Sequence, residues 1–197
     1  MWRVDRLNTT LPPLKQKGLI YIKNEGKRFE DSFSNSCGNT VLVKRLNDNA
    51  AGWSGGNNTR FSSNNECDFL LFDTVHKNLL ALELKSTKEK SLTFWREDFE
   101  DKNKKQTFMI RKCQIQGLEK WSYFDNVICG FVINFRSLEN QTYFVDILSF
   151  YYYTLNLDKK SVNIDDILKM NPVKIENKLL RTNYRYDIGK FLEEVDR

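Results

Sequence analysis

The run Val127–Phe135 (VICGFVINF) carries no charged side chain and is apolar nearly throughout. A strand with one wet face alternates apolar with polar residues, so a run of this kind belongs to a strand covered on both sides. It is far too short to cross a bilayer. The chain must therefore supply helices for both faces of a sheet, and 197 residues, 40% of them hydrophobic, suffice for one such domain.

The flanking pattern agrees. Two β-prone stretches, 67–73 and 79–85, are joined by Thr74-Val-His-Lys. Over 107–121, Ile110, Cys113/Gln114, Gly117/Leu118 and Trp121 recur on one helical face. The connection from 85 to 127 is long enough to return the chain parallel, and such crossovers are right-handed. Asn24 is placed to cap a helix over 25–37, and Asn163 a short one to 169. Further strands are expected at 40–44 and 142–146, with helices over 147–157 and 186–195. The expectation is a single α/β domain over 25–197, a mixed central sheet flanked by helices. Residues 1–24 form a basic, partly flexible arm, broken by Pro12-Pro13. The Asn/Gly/Ser-rich stretch 45–66 forms a protruding loop between the first two strands, stalk-like or mobile.

Composition excludes much chemistry. A single histidine, His76, cannot build a multi-histidine metal site, and in a hairpin turn it is expected to be solvent-exposed and inert. The four cysteines, Cys37, Cys67, Cys113 and Cys129, lack Cys-x-x-Cys spacing and read as reduced thiols of a cytoplasmic protein. No apolar signal-peptide core follows Met1-Trp-Arg-Val-Asp-Arg. Hydrolytic chemistry is left to carboxylates and lysine.

The hairpin at 67–85 offers such a group. If its turn is centred between Val75 and His76, Asp73 pairs with Asn78, and counting back sets Asp68 opposite Glu83. Residues two apart share a face, so Lys85 joins them. A one-residue slip would put the two acids on opposite faces. Two carboxylates held together among leucines repel, and one takes up a proton unless a cation intervenes. A hard divalent ion, Mg²⁺ with Mn²⁺ able to substitute, resolves the repulsion, with Asp68 and Glu83 as ligands. A lysine beside it orients or deprotonates water, or stabilises charge on a phosphorane-like transition state.

Asp68 followed by Glu83-Leu84-Lys85 resembles the PD-(D/E)xK (restriction-endonuclease-like) nuclease core. The ordered pieces Gly26-Lys-Arg-Phe-Glu30, Ser91-Leu-Thr-Phe94, Gln114-Ile-Gln-Gly-Leu118 and Gly130-Phe-Val-Ile resemble the RecU-type Holliday junction resolvases. The resemblance covers roughly residues 24–193. It implies that Asp68 and Glu83 bind metal, that Lys85 handles the nucleophilic water, and that Glu30 and Gln114 are further members of the site. From the residues alone, Gln114 reads equally as a core amide. The resemblance also implies a homodimer that nicks four-way junctions symmetrically in DNA recombination and repair. Two other readings stand beside it: an endonuclease of the same chemistry on ordinary duplex, and a DNA-binding protein with a degenerate site.

The balance of 31 Lys+Arg against 26 Asp+Glu gives a net charge of +5. That excess is local. Lys88, Lys90, Lys102, Lys104, Lys105, Arg111 and Lys112, with Thr87, lie in the segment leaving the proposed site; Arg45 and Arg60 flank or sit in the loop. These are the candidate DNA contacts, acting on phosphates without reading sequence.

Overall fold

The computed structural model describes residues 24–46, 65–99 and 106–196. Most of the basic arm, the loop over 47–64, and Arg60, Lys102, Lys104 and Lys105 lie outside the described residues. Helix α1 (Glu25–Ser34) is followed by β1 (Val41–Arg45), β2 (Phe69–Asp73), β3 (Leu79–Thr87) and β4 (Ser91–Thr93). Then come α2 (Lys112–Trp121), β5 (Val127–Phe135), β6 (Gln141–Asp146), α3 (Ile147–Leu155), β7 (Ser161–Asn163) and α4 (Ile164–Leu168). β8 (Val173–Lys174), β9 (Asn177–Leu180), β10 (Asn183–Tyr186) and α5 (Ile188–Val195) complete the domain.

The six-stranded mixed sheet has the order β1-β2-β3-β5-β6-β8. β3 and β5 pair in parallel over nine residues, Leu79 with Val127 through Thr87 with Phe135. The other pairs are antiparallel. Seven of the nine β5 residues are buried, as a strand covered on both faces requires. On one face Ala81, Phe131, Ile133 and Val145 pack with Ile115 and Leu118 of α2 and Phe150 of α3. On the other, Leu80, Leu82, Leu84 and Val132 meet Phe29 and Phe33 of α1 and Phe191 and Leu192 of α5. The period-two alternation of β3 thus feeds two cores at once.

Both asparagine caps form: Asn24 accepts from the Gly26 N–H at 3.0 Å and Asn163 from Asp166 at 2.9 Å. The expected helix over 107–121 starts later, at Lys112. Ile110 is taken into a parallel bridge with Phe94, and its N–H donates to Thr93 O at 3.0 Å, so this stretch is extended. The last helix likewise starts at Ile188, because Tyr186 closes the β9–β10 hairpin and Asp187 caps the turn after it. The small β4–β7 ladder and the β9–β10 hairpin are additions to the expected set. His76 is half-buried and paired through Nδ1 with Asp73 at 2.5 Å, not idle in solvent. Among the described residues no helix is long and apolar enough to cross a membrane.

Gly130 sets how closely β5 and β6 approach the Phe144 ring. A Cβ there would lie 2.2 Å from the Val145 carbonyl oxygen and 2.6 Å from the Phe144 ring. Gly130→Ala is expected to cost about 1–3 kcal/mol, because backbone on one side and a buried ring on the other cannot yield. Thermal unfolding should show a midpoint lower by roughly 2–4 °C per kcal/mol.

Candidate active site

The β2–β3 register is the one the turn count gives. Phe69 faces Leu82 and Phe72 faces Leu79. Asp68, just before the strand, donates its N–H to Leu82 O at 3.0 Å, and its Oδ2 accepts the Leu84 N–H at 2.8 Å, which holds it beside Glu83. That second bond fixes the Asp68 carboxylate against β3. Lys85 Nζ donates to Glu83 Oε1 at 2.6 Å. Gln114, fully buried on the first turn of α2, donates from Nε2 to the same Glu83 oxygen and accepts the Arg111 N–H on its own Oε1 at 2.9 Å. Asp68, Glu83, Lys85 and Gln114 are thus brought together on the α2 face of the sheet, Gln114 by a contact rather than as a bystander of the core.

Glu30 approaches from α1. Its carboxylate is paired with the Arg45 guanidinium, which also reaches Asp31 at 3.4 Å and lies 5.8 Å from the Phe69 ring centroid. Arg45 therefore serves the acids of α1 in this structure. Thr87 is buried, and its hydroxyl accepts the Glu89 N–H at 2.9 Å. Lys88, Lys90, Arg111 and Lys112 are exposed, and Lys112 lies 4.6 Å from the Trp95 ring centroid.

The electrostatics follow from burial. The Glu83 side chain is 3% exposed, and its pKa is pushed up to about 8. Burial is the largest cause, and the Asp68 charge adds to it; Lys85 and Arg111 oppose the shift without overcoming it. Glu30 is raised as well, by burial and then by Asp68, against the pull of Arg45. The Cys67 thiol, next to Asp68, is pushed up to about 12 by burial and by the charges of Glu83 and Asp68. Burial leads at all three groups, and the Asp68 charge raises each of them further. Arg111 is the cation whose bearing on Glu83 sequence reasoning missed. Its position at the N-cap of the helix that carries Gln114 was the available signal.

Among the described residues no three His, Cys, Asp or Glu side chains are assembled to ligate one ion. Asp68 and Glu83 are the residues that could hold a divalent cation. A two-carboxylate site suits Mg²⁺, which keeps several waters and is commonly held by one or two carboxylates together with substrate phosphates. The like-charge strain on Glu83 is what such a cation would relieve.

No protein-family model matches the chain. The SPbeta prophage-derived uncharacterized protein YotM of Bacillus subtilis (strain 168) is 30% identical over 145 residues, covering 68% of this chain and 67% of that protein. Among solved structures the chain is similar to Archaeoglobus fulgidus Hjc, a Holliday junction resolvase. That likeness has a TM-score of 0.44 and 14% identity, over 76% of this chain and 95% of the other.

Because the folded protein holds the Glu83 proton up to about pH 8 and the unfolded chain releases it near 4.5, the native state binds more protons in between. Stability therefore falls as pH rises through that window when no divalent ion is present. His76, raised by its bond to Asp73, loses its own contribution as pH rises from 6.5 upward, in the same direction. Denaturation in EDTA at a series of pH values should show a shallower decline for Glu83→Gln than for the native sequence. Equal slopes would contradict the burial argument.

Proposed function

From a chain that belongs to the same family as the SPbeta prophage-derived protein YotM, and that gathers two acids and a lysine on one sheet face, we propose a Mg²⁺-dependent endonuclease. Its substrate is the four-way DNA junction, which a homodimer resolves by symmetric nicks. The observation that carries this reading is the buried Glu83 carboxylate. It is held by Lys85 and Gln114 against an adjacent Asp68, at a pKa that makes an unpaired negative charge unfavourable. The ordered sequence resemblance to RecU-type resolvases supports the choice of substrate, and two-fold symmetry suits paired cuts.

Asp68 and Glu83 would hold the cation, which when bound supplies Lewis-acid charge to the phosphodiester. Gln114 orients the Glu83 carboxylate by occupying one oxygen and is itself fixed by the Arg111 N–H. Lys85, on the same oxygen, is placed to orient the attacking water and to offset charge gathering on the phosphoryl oxygens. A bond forms from the water oxygen to phosphorus, a phosphorus–oxygen bond of the backbone breaks, and the leaving oxygen takes up a proton. No histidine is needed.

Lys85→Ala should lower cleavage by about 10²–10⁴-fold, the range for loss of a positioned proton-handling group. Asp68→Asn should abolish cleavage while leaving the fold intact. Mg²⁺ should raise the melting temperature of the native protein more than that of Asp68→Asn, and more at pH 8 than at pH 5. Incubation of the protein with a mobile four-way junction and with linear duplex decides the substrate. Preferential cutting of the junction is expected; equal cutting of both would remove the junction claim and leave the nuclease, and cleavage untouched by Asp68→Asn would remove the site.

A further inference from the structure

A cavity of about 160 Å³ lies on the α1 face of the sheet, walled by Ser86, Asn134 and Arg136 from the ends of β3 and β5 and by Glu25 and Arg28 from α1. Its amides are occupied by one another: Ser86 Oγ donates to Asn134 Oδ1 at 2.9 Å, and Asn134 Nδ2 donates to Asn140 Oδ1 and Thr142 Oγ1, each at 2.9 Å. Of the guanidinium groups, Arg28 donates to the Thr182 carbonyl, and both Arg28 and Arg136 face Glu25. Among the described residues, Arg136 Nε is the buried side-chain nitrogen or oxygen left without a hydrogen-bond partner. A buried donor without a partner is costly, and groups of this kind mark strain, an ion or a ligand.

The charge balance favours an anion. Arg136 Nη1 is 3.8 Å from one oxygen of Glu25 and Arg28 Nη1 is 3.5 Å from the other, so one carboxylate faces two guanidinium groups. The wall carries a net positive charge, and the side chains of Arg28 and Arg136 remain 37% and 31% exposed. Planar guanidinium groups match the oxygens of a phosphate.

The position links the cavity to the active site. Arg136 follows the last residue of β5, and its N–H donates to Thr87 O at 2.9 Å, extending the parallel ladder beyond Phe135. Ser86 is the residue after Lys85. Successive strand residues face opposite sides of the sheet, so Ser86 lines the cavity on the α1 face while Lys85 belongs to the α2 face. The cavity lies around the carboxyl ends of the parallel strands, where open α/β sheets receive ligands.

We propose that Arg136 and Arg28 form a backbone-phosphate subsite, which grips the substrate DNA where it passes the carboxyl ends of β3 and β5 toward the α1 side of the sheet. This rests on the nuclease reading and adds to it a contact outside the segment between Lys85 and Lys112. Each phosphate contact contributes about 0.9 to the slope of log K against log salt on duplex DNA.

Binding of a fluorescein-labelled four-way junction, followed in EDTA from about 50 to 200 mM salt, tests the subsite. Arg136→Gln should weaken binding roughly 5- to 20-fold at low salt and reduce the slope by about one unit, equally for linear duplex, since phosphate contacts do not read sequence. Arg136→Lys, which keeps the charge, should retain the slope. Arg28→Gln should act in the same direction and serves if Arg136→Gln does not fold. A folded Arg136→Gln or Arg28→Gln protein with unchanged affinity and slope would overturn the proposal and leave the cavity to water. Failure of the nuclease reading would look different: the unaltered protein would cleave no DNA in Mg²⁺, whether or not it binds the junction.

Discussion

The nine-residue parallel ladder between β3 and β5 governs both the fold and the site. Parallel neighbours cannot be joined by a tight turn, so the chain must leave the sheet and return through a covering element. Here that element contains α2, and docking α2 on β5 lays Gln114 over Glu83. Without the crossover, Glu83 would be one more carboxylate on a strand with a wet face. With it, the side chain is 3% exposed and its charge must be met by Lys85, by Arg111 and, on our reading, by a divalent ion.

The acids are balanced unevenly. Arg45 is spent on Glu30 and Asp31, while the Asp68–Glu83 pair has lysine and a more distant arginine for company. The Cys67 thiol is pushed up to about 12 mainly by burial, and the Glu83 and Asp68 charges add to that shift. A buried carboxylate beside a second carboxylate is a poor stability element unless its charge is met.

Much of this was legible in the residues. The apolar run of β5 implied cover on both faces, and the turn at 74–77 set the register that brings Asp68 alongside Glu83, because a hairpin's register is local. The two asparagine caps read correctly for the same reason. What escaped depends on partners far along the chain. Ile110 continues a helical pattern, yet it is drawn into an extended bridge with Phe94, sixteen residues earlier. β7 exists because β4 is there to pair with it, about seventy residues before. Arg45 is an ordinary strand arginine in sequence, and its engagement with α1 emerges only once β1 lies along the sheet edge. Thr87 sits in a polar run but ends a buried strand, so its hydroxyl serves the following turn.

The local character of the β2–β3 hairpin has a consequence for inheritance. Asp68, Glu83 and Lys85 span eighteen positions, and a tight turn with a backbone hydrogen bond to the Asp68 carboxylate suffices to align them. Everything else in the domain acts on that unit through non-specific requirements: apolar cover above and below, a parallel partner, an amide from the crossover. Those requirements are satisfied by many sequences, since cores tolerate extensive substitution when volume and pattern are kept. The arrangement of acids and lysine is thus specified by a short segment, and the rest of the domain can drift wherever its apolar pattern is kept.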